Sequence, residues 1–175
     1  ISVRMFGDPM PEGLESTTVN IIMDLRMPRV ILAFLTGAAL SASGAAVQSV
    51  LRNPLASPYT LGVSSGASLG AGIVIAAGFT FLGQFTLAAA GLASALLTMF
   101  AAAAFTSRID KSFESSTIVL TGMVISLFIS AIVNLMANLA DEKYKQILKW
   151  QTGSFSGRGW GYCAVLAVVS VICIA

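Results

Sequence analysis

The fold of this protein is decided by one uncharged stretch, residues 53–107, which reads NPLASPYTLGVSSGASLGAGIVIAAGFTFLGQFTLAAAGLASALLTMFAAAAFTS. As a single helix this stretch would be about 80 Å long, whereas a bilayer core is about 30 Å thick and needs about 20 helical residues. It therefore predicts two membrane-spanning helices. Residues 78–83, GFTFLG, have glycine at both ends and are the predicted turn between them.

The charges elsewhere in the chain divide it further, because residues 30–51, 115–140 and 159–175 also carry none, and each of these stretches is long enough for about one span. Period-2 alternation is absent, which predicts helices rather than the strands of a barrel. The predicted fold class is all-α, a polytopic transmembrane helical bundle that forms part of a single domain over residues 1–175. The predicted spans lie at 30–51, about 60–80, about 84–106, about 116–139 and about 160–175.

The composition excludes several classes of protein. Of 175 residues, 56% are hydrophobic and only 10% are charged, and the mean hydropathy is +0.85. A soluble domain carries about 25% charged residues, so these values exclude a disordered chain, a nucleic-acid-binding domain and most soluble enzymes. The chain has no histidine, which removes His-based metal sites, triads and proton relays. Cys163 and Cys173 would lie about 15 Å apart on one helix and support neither a disulfide nor a metal site.

The polar connections between the predicted spans are short and distinct. Residues 1–29 form a polar lead-in, and Arg52-Asn53-Pro54 ends the helix of the first span. Residues 107–115 form a polar loop. The pattern of residues 141–153 predicts a short amphipathic helix at the membrane surface, with its apolar side chains on one face, ended by Gly153.

Small and polar side chains inside the spans predict close packing between helices. Gly62, Gly66 and Gly70 recur every four residues and would let a neighbouring backbone approach one helix face. Asn134 and Asn138 share another face. These amides, like Gln48, either hydrogen-bond between helices or line a pathway, and both readings stay open at this point. No charged residue lies in mid-span, which argues against a coupled pump whose energy enters here.

The residues around the first span carry a resemblance to a known family. Residues 25–67 read LRMPRVILAFLTGAALSASGAAVQSVLRNPLASPYTLGVSSGA. This long, ordered run resembles the FecCD-type permeases of bacterial ABC importers for iron–siderophore complexes, haem and cobalamin. Weaker similarity continues through residues 120–122 and 150–160, and covers essentially the whole chain. The resemblance implies a type II ABC importer permease fold of roughly ten spans, of which this chain matches the stretch from before the second span into the sixth.

The resemblance also implies roles for individual residues. Arg26 and Arg29 match periplasmic arginines that dock acidic residues of a binding protein, which suits the bidentate chemistry of arginine with carboxylates. Ser115 and Ser116 match a cytoplasmic gate of small hydroxyl residues. Because the matching spans line the translocation path, the family favours the pathway reading of the three amides, Gln48, Asn134 and Asn138.

The expected setting is the bacterial inner membrane, in contact with lipid. The expected partners are a second permease subunit in a homodimer or pseudo-dimer, two cytoplasmic ATPase subunits that hold the ATP, and a periplasmic substrate-binding protein. No cofactor or metal bound by this chain, no enzymatic activity of its own and no nucleic-acid partner are expected.

The orientation predicted by charge differs from the one that the family implies. The connections on the same side of the membrane as residues 1–29 carry seven Lys and Arg residues, and those on the opposite side carry three. The positive-inside rule therefore predicts that residues 1–29 lie in the cytoplasm. We follow the family, which implies a periplasmic lead-in, because basic residues there could meet an acidic receptor.

Two alternative functions are considered. A secondary transporter or channel would need an intramembrane charge or a broken helix, and an intramembrane enzyme would need a set of catalytic residues within the spans.

Overall fold

The computed structural model describes residues 16–111, 114–140 and 143–174, and these residues form helices and turns without a strand. The all-α prediction is therefore confirmed. A π-helical turn at Ile21–Arg26 joins the first two helices, and a 3-10 turn at Gly83–Phe85 precedes the fourth. The helices are α1 Ser16–Asn20, α2 Met27–Leu51, α3 Val63–Ala77, α4 Thr86–Ile109, α5 Ser115–Leu139, α6 Tyr144–Thr152 and α7 Trp160–Ile174.

Three of these helical segments are long and apolar enough to cross a membrane: Thr18–Leu51, Thr86–Ile109 and Ser115–Leu139. The first has 34 residues and begins well before residue 30, because the chain continues through a π-helical turn instead of an irregular lead-in. Residues 1–15 of the predicted lead-in lie outside the described residues.

Helix α3 is shorter than the predicted span at 60–80. It has 15 residues and is about 22 Å long. Gly62 before it and Gly78 after it both take left-handed backbone angles, with φ of +85° and +76°. Because side-chain-bearing residues rarely adopt this conformation, the two glycines set the ends of the helix.

The chain divides into two compact units. One comprises residues 1–42 and 155–175, and the other comprises residues 43–154, so that α2 passes from the first unit into the second. In the second unit, α3 packs against both α4 and α5, and α6 packs against α3 and α5.

The core of the second unit joins three helices. Ile75 of α3, Ile129 and Val133 of α5, and Ile147 of α6 are buried together. Ile147 is only 1% exposed, and the ring of Trp150 lies beside Gly91 of α4, 3.5 Å from where a Cβ of that glycine would be. The apolar face of the predicted amphipathic helix therefore packs on this bundle.

Candidate functional site

A polar groove lies between α3 and α5 of the second unit. Its volume is about 230 Å³. No charged side chain lines it, although most of its lining residues carry a hydroxyl or amide group. The lining residues are Tyr59, Ser64, Ser65, Ser68, Ser126, Ser130, Val133, Asn134 and Gln151. An uncharged hydrogen-bonding surface of this kind is an exception among helices that are otherwise strongly apolar.

Helical spacing explains how the sequence forms the groove. Ser126, Ser130 and Asn134 follow at four-residue intervals on α5 and so share one face, as do Ser64 and Ser68 on α3. The two helices run in the same direction.

Two glycines show this parallel pairing. Gly122, early in α5, lies against the carbonyl oxygen of Thr60, which comes just before α3. Further along, a Cβ on Gly72 of α3 would lie 3.9 Å from Val133 of α5. The polar faces of the two helices are therefore brought together along the groove.

Some of the groove's hydroxyl groups are bonded to a backbone carbonyl three or four residues earlier in the chain. Ser65 donates to the carbonyl of Gly62 at 3.0 Å, and Ser126 donates to the carbonyl of Gly122 at 2.8 Å. In contrast, the side chains of Ser68, Ser130 and Asn134 make no hydrogen bond to any part of the chain that the structure describes. Their polar groups remain available to water or to a ligand in the groove.

Tyr59 reaches the groove from a firmly held loop. Ser57 and Thr60 bond reciprocally: the backbone N–H of Ser57 donates to Oγ1 of Thr60 at 2.9 Å, and the backbone N–H of Thr60 donates to Oγ of Ser57 at 3.1 Å. Pro58 restricts the backbone next to Tyr59. Tyr59 as a whole residue is 74% exposed, so the loop presents a large polar-tipped side chain without burying it.

The structure separates the three amides predicted to line a pathway. Asn134 lines the groove. The amide of Asn138 donates to the backbone carbonyl of Asn134 at 2.8 Å, and Gln48 donates to the carbonyl of Pro54 at 3.2 Å, which holds the turn after α2. Sequence reasoning missed Gln151, which comes from α6. The four-residue spacing from Ser126 through Asn138 was a signal that could have revealed the polar face of α5.

The predicted packing glycines lie on the other side of α3, against α4. A Cβ on Gly66 would lie 2.7 Å from Cβ of Thr98, and one on Gly70 would lie 2.6 Å from Cβ of Ser94. Both positions therefore require glycine, because real Cβ atoms do not approach so closely. Gly62 differs from the predicted stripe in that it lies at the N-cap of α3, outside the helix.

The other predicted site residues lie at helix ends. Arg26 is the last residue of the π-helical turn, and Arg29, in the first turn of α2, donates from Nη2 to Oγ of Ser156 at 3.1 Å. Both arginines are exposed. Ser115 and Ser116 are the first two residues of α5. In the described residues, no group of three or more His, Cys, Asp or Glu side chains could hold a metal ion.

Comparison with known proteins gives consistent matches along the whole chain. The family model of the FecCD transport family matches residues 1–175. The ABC transporter permease protein YvrB of Bacillus subtilis (strain 168) is 47% identical over 145 residues, which are 82% of this chain and 41% of YvrB. The Fe(3+)-citrate import system permease protein YfmE of the same organism is 34% identical, over 93% of this chain and 49% of YfmE.

A solved structure also matches this fold. It is described as a metal-chelate type ABC transporter in an inward-facing conformation, and it aligns with a TM-score of 0.77 at 28% identity, over 95% of this chain and 52% of the other. The chain thus spans about half the length of the relatives it matches. The permease relatives and the apolar helices together indicate a multi-pass membrane protein.

Proposed function

This chain belongs to the FecCD transport family, and from that premise we propose that it is part of the membrane permease of an ABC importer. The importer would carry an iron complex, such as a ferric siderophore or haem, or cobalamin. The permease would provide the passage and make or break no bond in its cargo. ATP would be bound and hydrolysed by separate ATPase subunits.

The observation that carries this proposal is the uncharged, hydroxyl-lined and amide-lined groove. Its neutral groups offer several individually modest hydrogen bonds, each worth about 1 kcal/mol. A passage must bind its cargo well enough to admit it and weakly enough to release it. Side chains such as Ser68, Ser130 and Asn134 fit this requirement, because they can bond to the periphery of a chelate without coordinating its metal ion.

The proposed partners follow from the family. A second permease subunit would complete the passage in the inner membrane of a bacterium. A periplasmic binding protein would dock on Arg26 and Arg29 and deliver the cargo. Ser115 and Ser116, at the start of α5, would belong to the cytoplasmic gate. The exposure of both arginines and the position of both serines at a helix end are compatible with these roles.

The alternative of a secondary transporter or channel has less support. Such a transporter would be expected to carry an ionisable side chain inside a span. The stretches 30–51, 63–77, 86–107 and 115–139, all within the described residues, contain no Asp, Glu, Lys or Arg. The absence of an internal charge favours an energy source on partner subunits.

Uptake by the complete permease in its transport system tests the proposal. Asn134→Leu keeps the size of the side chain and removes its hydrogen-bonding groups, so uptake of the transported chelate should fall by about tenfold. Asn138→Leu is the matched control, because that amide bonds to its own helix and should leave uptake within about twofold of the unaltered permease.

A second arm tests the energy source. Inactivation of the ATPase subunits should abolish uptake, whereas dissipation of the proton gradient at constant ATP should leave it intact. Uptake that survives without ATP hydrolysis and follows the proton gradient would establish the secondary transporter instead. Equal uptake by the unaltered permease and the Asn134 variant would remove the groove from the pathway.

A further inference from the structure

The connection between α3 and α4 exposes three large apolar side chains. Residues 78–82 read GFTFL, and Phe79, Phe81 and Leu82 are 58%, 66% and 53% exposed. No charged residue occurs anywhere between residues 53 and 107. A cluster of exposed apolar side chains indicates a surface that meets another protein or a membrane.

Contacts between α3 and α4 show where this connection lies along the membrane-crossing helices. A Cβ on Gly62, just before α3, would lie 3.2 Å from Cγ2 of Thr98, near the middle of α4, and a Cβ on Gly70 would meet the backbone of Ala90. The two helices are therefore antiparallel, and Ala77 at the end of α3 is level with the turn before α4. Because α4 is long enough to cross a membrane, α3 meets a membrane boundary at its C-terminal end, whereas its other end is level with the middle of a crossing helix.

Lys143 indicates the depth of this end of α3. Its Nζ donates to the carbonyl of Ala76 at 3.0 Å and would lie 3.0 Å from a Cβ on Gly78. A lysine ammonium stays among the headgroups or in water, because its transfer into hydrocarbon is costly. Asp141 and Glu142, which precede it in the sequence, lie outside the described residues. The loop after α3 therefore begins at the level of the lipid headgroups.

A buried threonine fixes the shape of the loop. Thr86, the first residue of α4, is 1% exposed. Its Oγ1 accepts a hydrogen bond from the backbone N–H of Leu82 and donates to the carbonyl of Gly83, both at 2.9 Å. The backbone N–H of Phe85 donates to the carbonyl of Leu82 at 3.1 Å. The apolar side chains are therefore held on a defined turn, which keeps them exposed instead of packed on the bundle.

The position and composition of the loop favour a phospholipid leaflet as its partner. Phe81 is four residues from the end of α3, which places it at most about 14 Å from a helix end at the headgroup level. The headgroup region on each side of a bilayer is about 5–8 Å thick, so apolar side chains at this level can reach the acyl chains and leave water. Reversible protein interfaces have a polar rim and are enriched in arginine, and residues 78–85 carry no charged side chain.

We propose that residues 78–85 form an interfacial anchor, in which Phe79, Phe81 and Leu82 insert into the adjacent phospholipid leaflet. The anchor holds the C-terminal end of α3 at the membrane boundary, and Thr86 is its positioning residue. Such an anchor suits α3, because this 15-residue helix starts level with the middle of α4 and so reaches a boundary at this end alone. The proposal concerns lipid and does not depend on the importer function or its cargo.

Spin-label depth measurements on the complete permease in phosphatidylcholine liposomes test the proposal. The native cysteines are replaced by serine, and a nitroxide is attached at Phe81→Cys. Power saturation compares collisions with oxygen, which dissolves in lipid, and with a nickel chelate, which stays in water. The label should lie about 5–10 Å inside the boundary between headgroups and acyl chains. A label at Lys145→Cys, on the exposed side of α6, is the matched control and should be as accessible to the nickel chelate as a label in water.

The apolar neighbours of the label are tested in the same way. Phe79→Ser combined with Leu82→Ser leaves the turn intact and removes two of the three inserted side chains. The label at residue 81 should then move toward water, with more collisions with the nickel chelate and fewer with oxygen.

The role of Thr86 is tested by the mobility of the same label. Thr86→Val keeps the shape of the side chain and removes its hydroxyl group, so the label at residue 81 should become more mobile. Thr86→Ser keeps the hydroxyl group and should retain the original spectrum. The label at residue 145 should not change in either variant, which separates release of the loop from a general loss of folding.

Two results would overturn the anchor. Collisions with the nickel chelate that are as frequent at residue 81 as at residue 145 would place the loop in water, and a label that meets neither reagent would place it against protein. An unchanged spectrum in Thr86→Val would overturn the role of Thr86. None of these measurements depends on uptake, so failure of the anchor is distinguishable from failure of the proposed importer.

Discussion

The contacts inside the first unit differ in kind from those inside the second unit. In the second unit, α3 and α4 approach so closely that Gly66 and Gly70 have no room for a methyl group. In the first unit, three hydrogen bonds join two segments that are more than 120 residues apart, and two of them end on the backbone carbonyls of Met23 and Pro28. One unit depends on backbone proximity, and the other depends on polar bonds made around a proline.

This difference follows from what drives association in a membrane. Lipid tails are as apolar as leucine side chains, so helices associate through close packing and hydrogen bonds. Small residues at every fourth position of α3 permit close packing of its backbone against α4. A proline within a helix creates a backbone acceptor that needs a partner, and the indole of Trp160 supplies one. Single substitutions in the two units should therefore reduce stability by different amounts and for different physical reasons.

The largest effect is expected for Gly70→Ala. The added methyl group would lie 2.6 Å from Cβ of Ser94 and against the backbone of Ala90, so two helices would have to separate. We expect a loss of about 3 kcal/mol in the free energy of unfolding. Thermal melting of the purified complete permease measures it. Gly72→Ala is the control on the same helix, because its methyl group would meet Val133 at an ordinary 3.9 Å. Equal melting of both variants would contradict the close approach.

An intermediate effect is expected for Trp160→Phe, which keeps an aromatic ring and removes the N–H donor. The carbonyl of Met23 then lacks its partner in a part-buried position, at a cost of about 1–2 kcal/mol. Pro28→Ala restores a backbone N–H that can bond to the preceding turn. In a double-mutant cycle, Pro28→Ala should therefore reduce the cost of Trp160→Phe. Strictly additive costs would show that the indole does not replace the missing helical bond.

The smallest effect is expected for Lys143→Gln, which tests the capping of α3. Nζ of Lys143 donates to the carbonyl of Ala76 at 3.0 Å, at the negative end of that helix. Loss of this charged cap should cost about 0.5–1 kcal/mol in thermal melting. Lys145→Gln, an exposed change on the outer face of α6, should cost less than about 0.3 kcal/mol. A larger loss for Lys145 than for Lys143 would contradict the assignment of the cap.

Sequence reasoning succeeded where a local pattern is sufficient. The uncharged stretches predicted apolar helices. Arg52-Asn53-Pro54 marked the end of α2, and glycine at 78 marked the end of α3. The same reasoning placed Asn134 and Asn138 on one face of a helix, but it could not tell which amide would reach a groove. That difference depends on α6, whose Gln151 joins the lining from a separate helix.

The start of the first long helix could not be predicted from the sequence, because Trp160 bonds to a carbonyl that Pro28 leaves without its helical partner. Pro28 and the polar residues before it predicted a lead-in outside the helix, yet the helical segment begins at Ser16 and passes through a π-helical turn. The sequence near Pro28 contains no sign of this outcome, because the compensating donor lies 137 residues away on Trp160.

The sequence by itself determined that this protein is an all-helical membrane protein of the FecCD family, because charge is excluded from lipid and the family's motifs are local and ordered. It also determined which glycines could permit close contact. Only the tertiary structure decided that serines of α3 and α5 share a groove and that Arg29 bonds to Ser156. Those features arise from contacts between segments far apart in the chain, and periodicity along one helix does not specify which neighbour its face will meet.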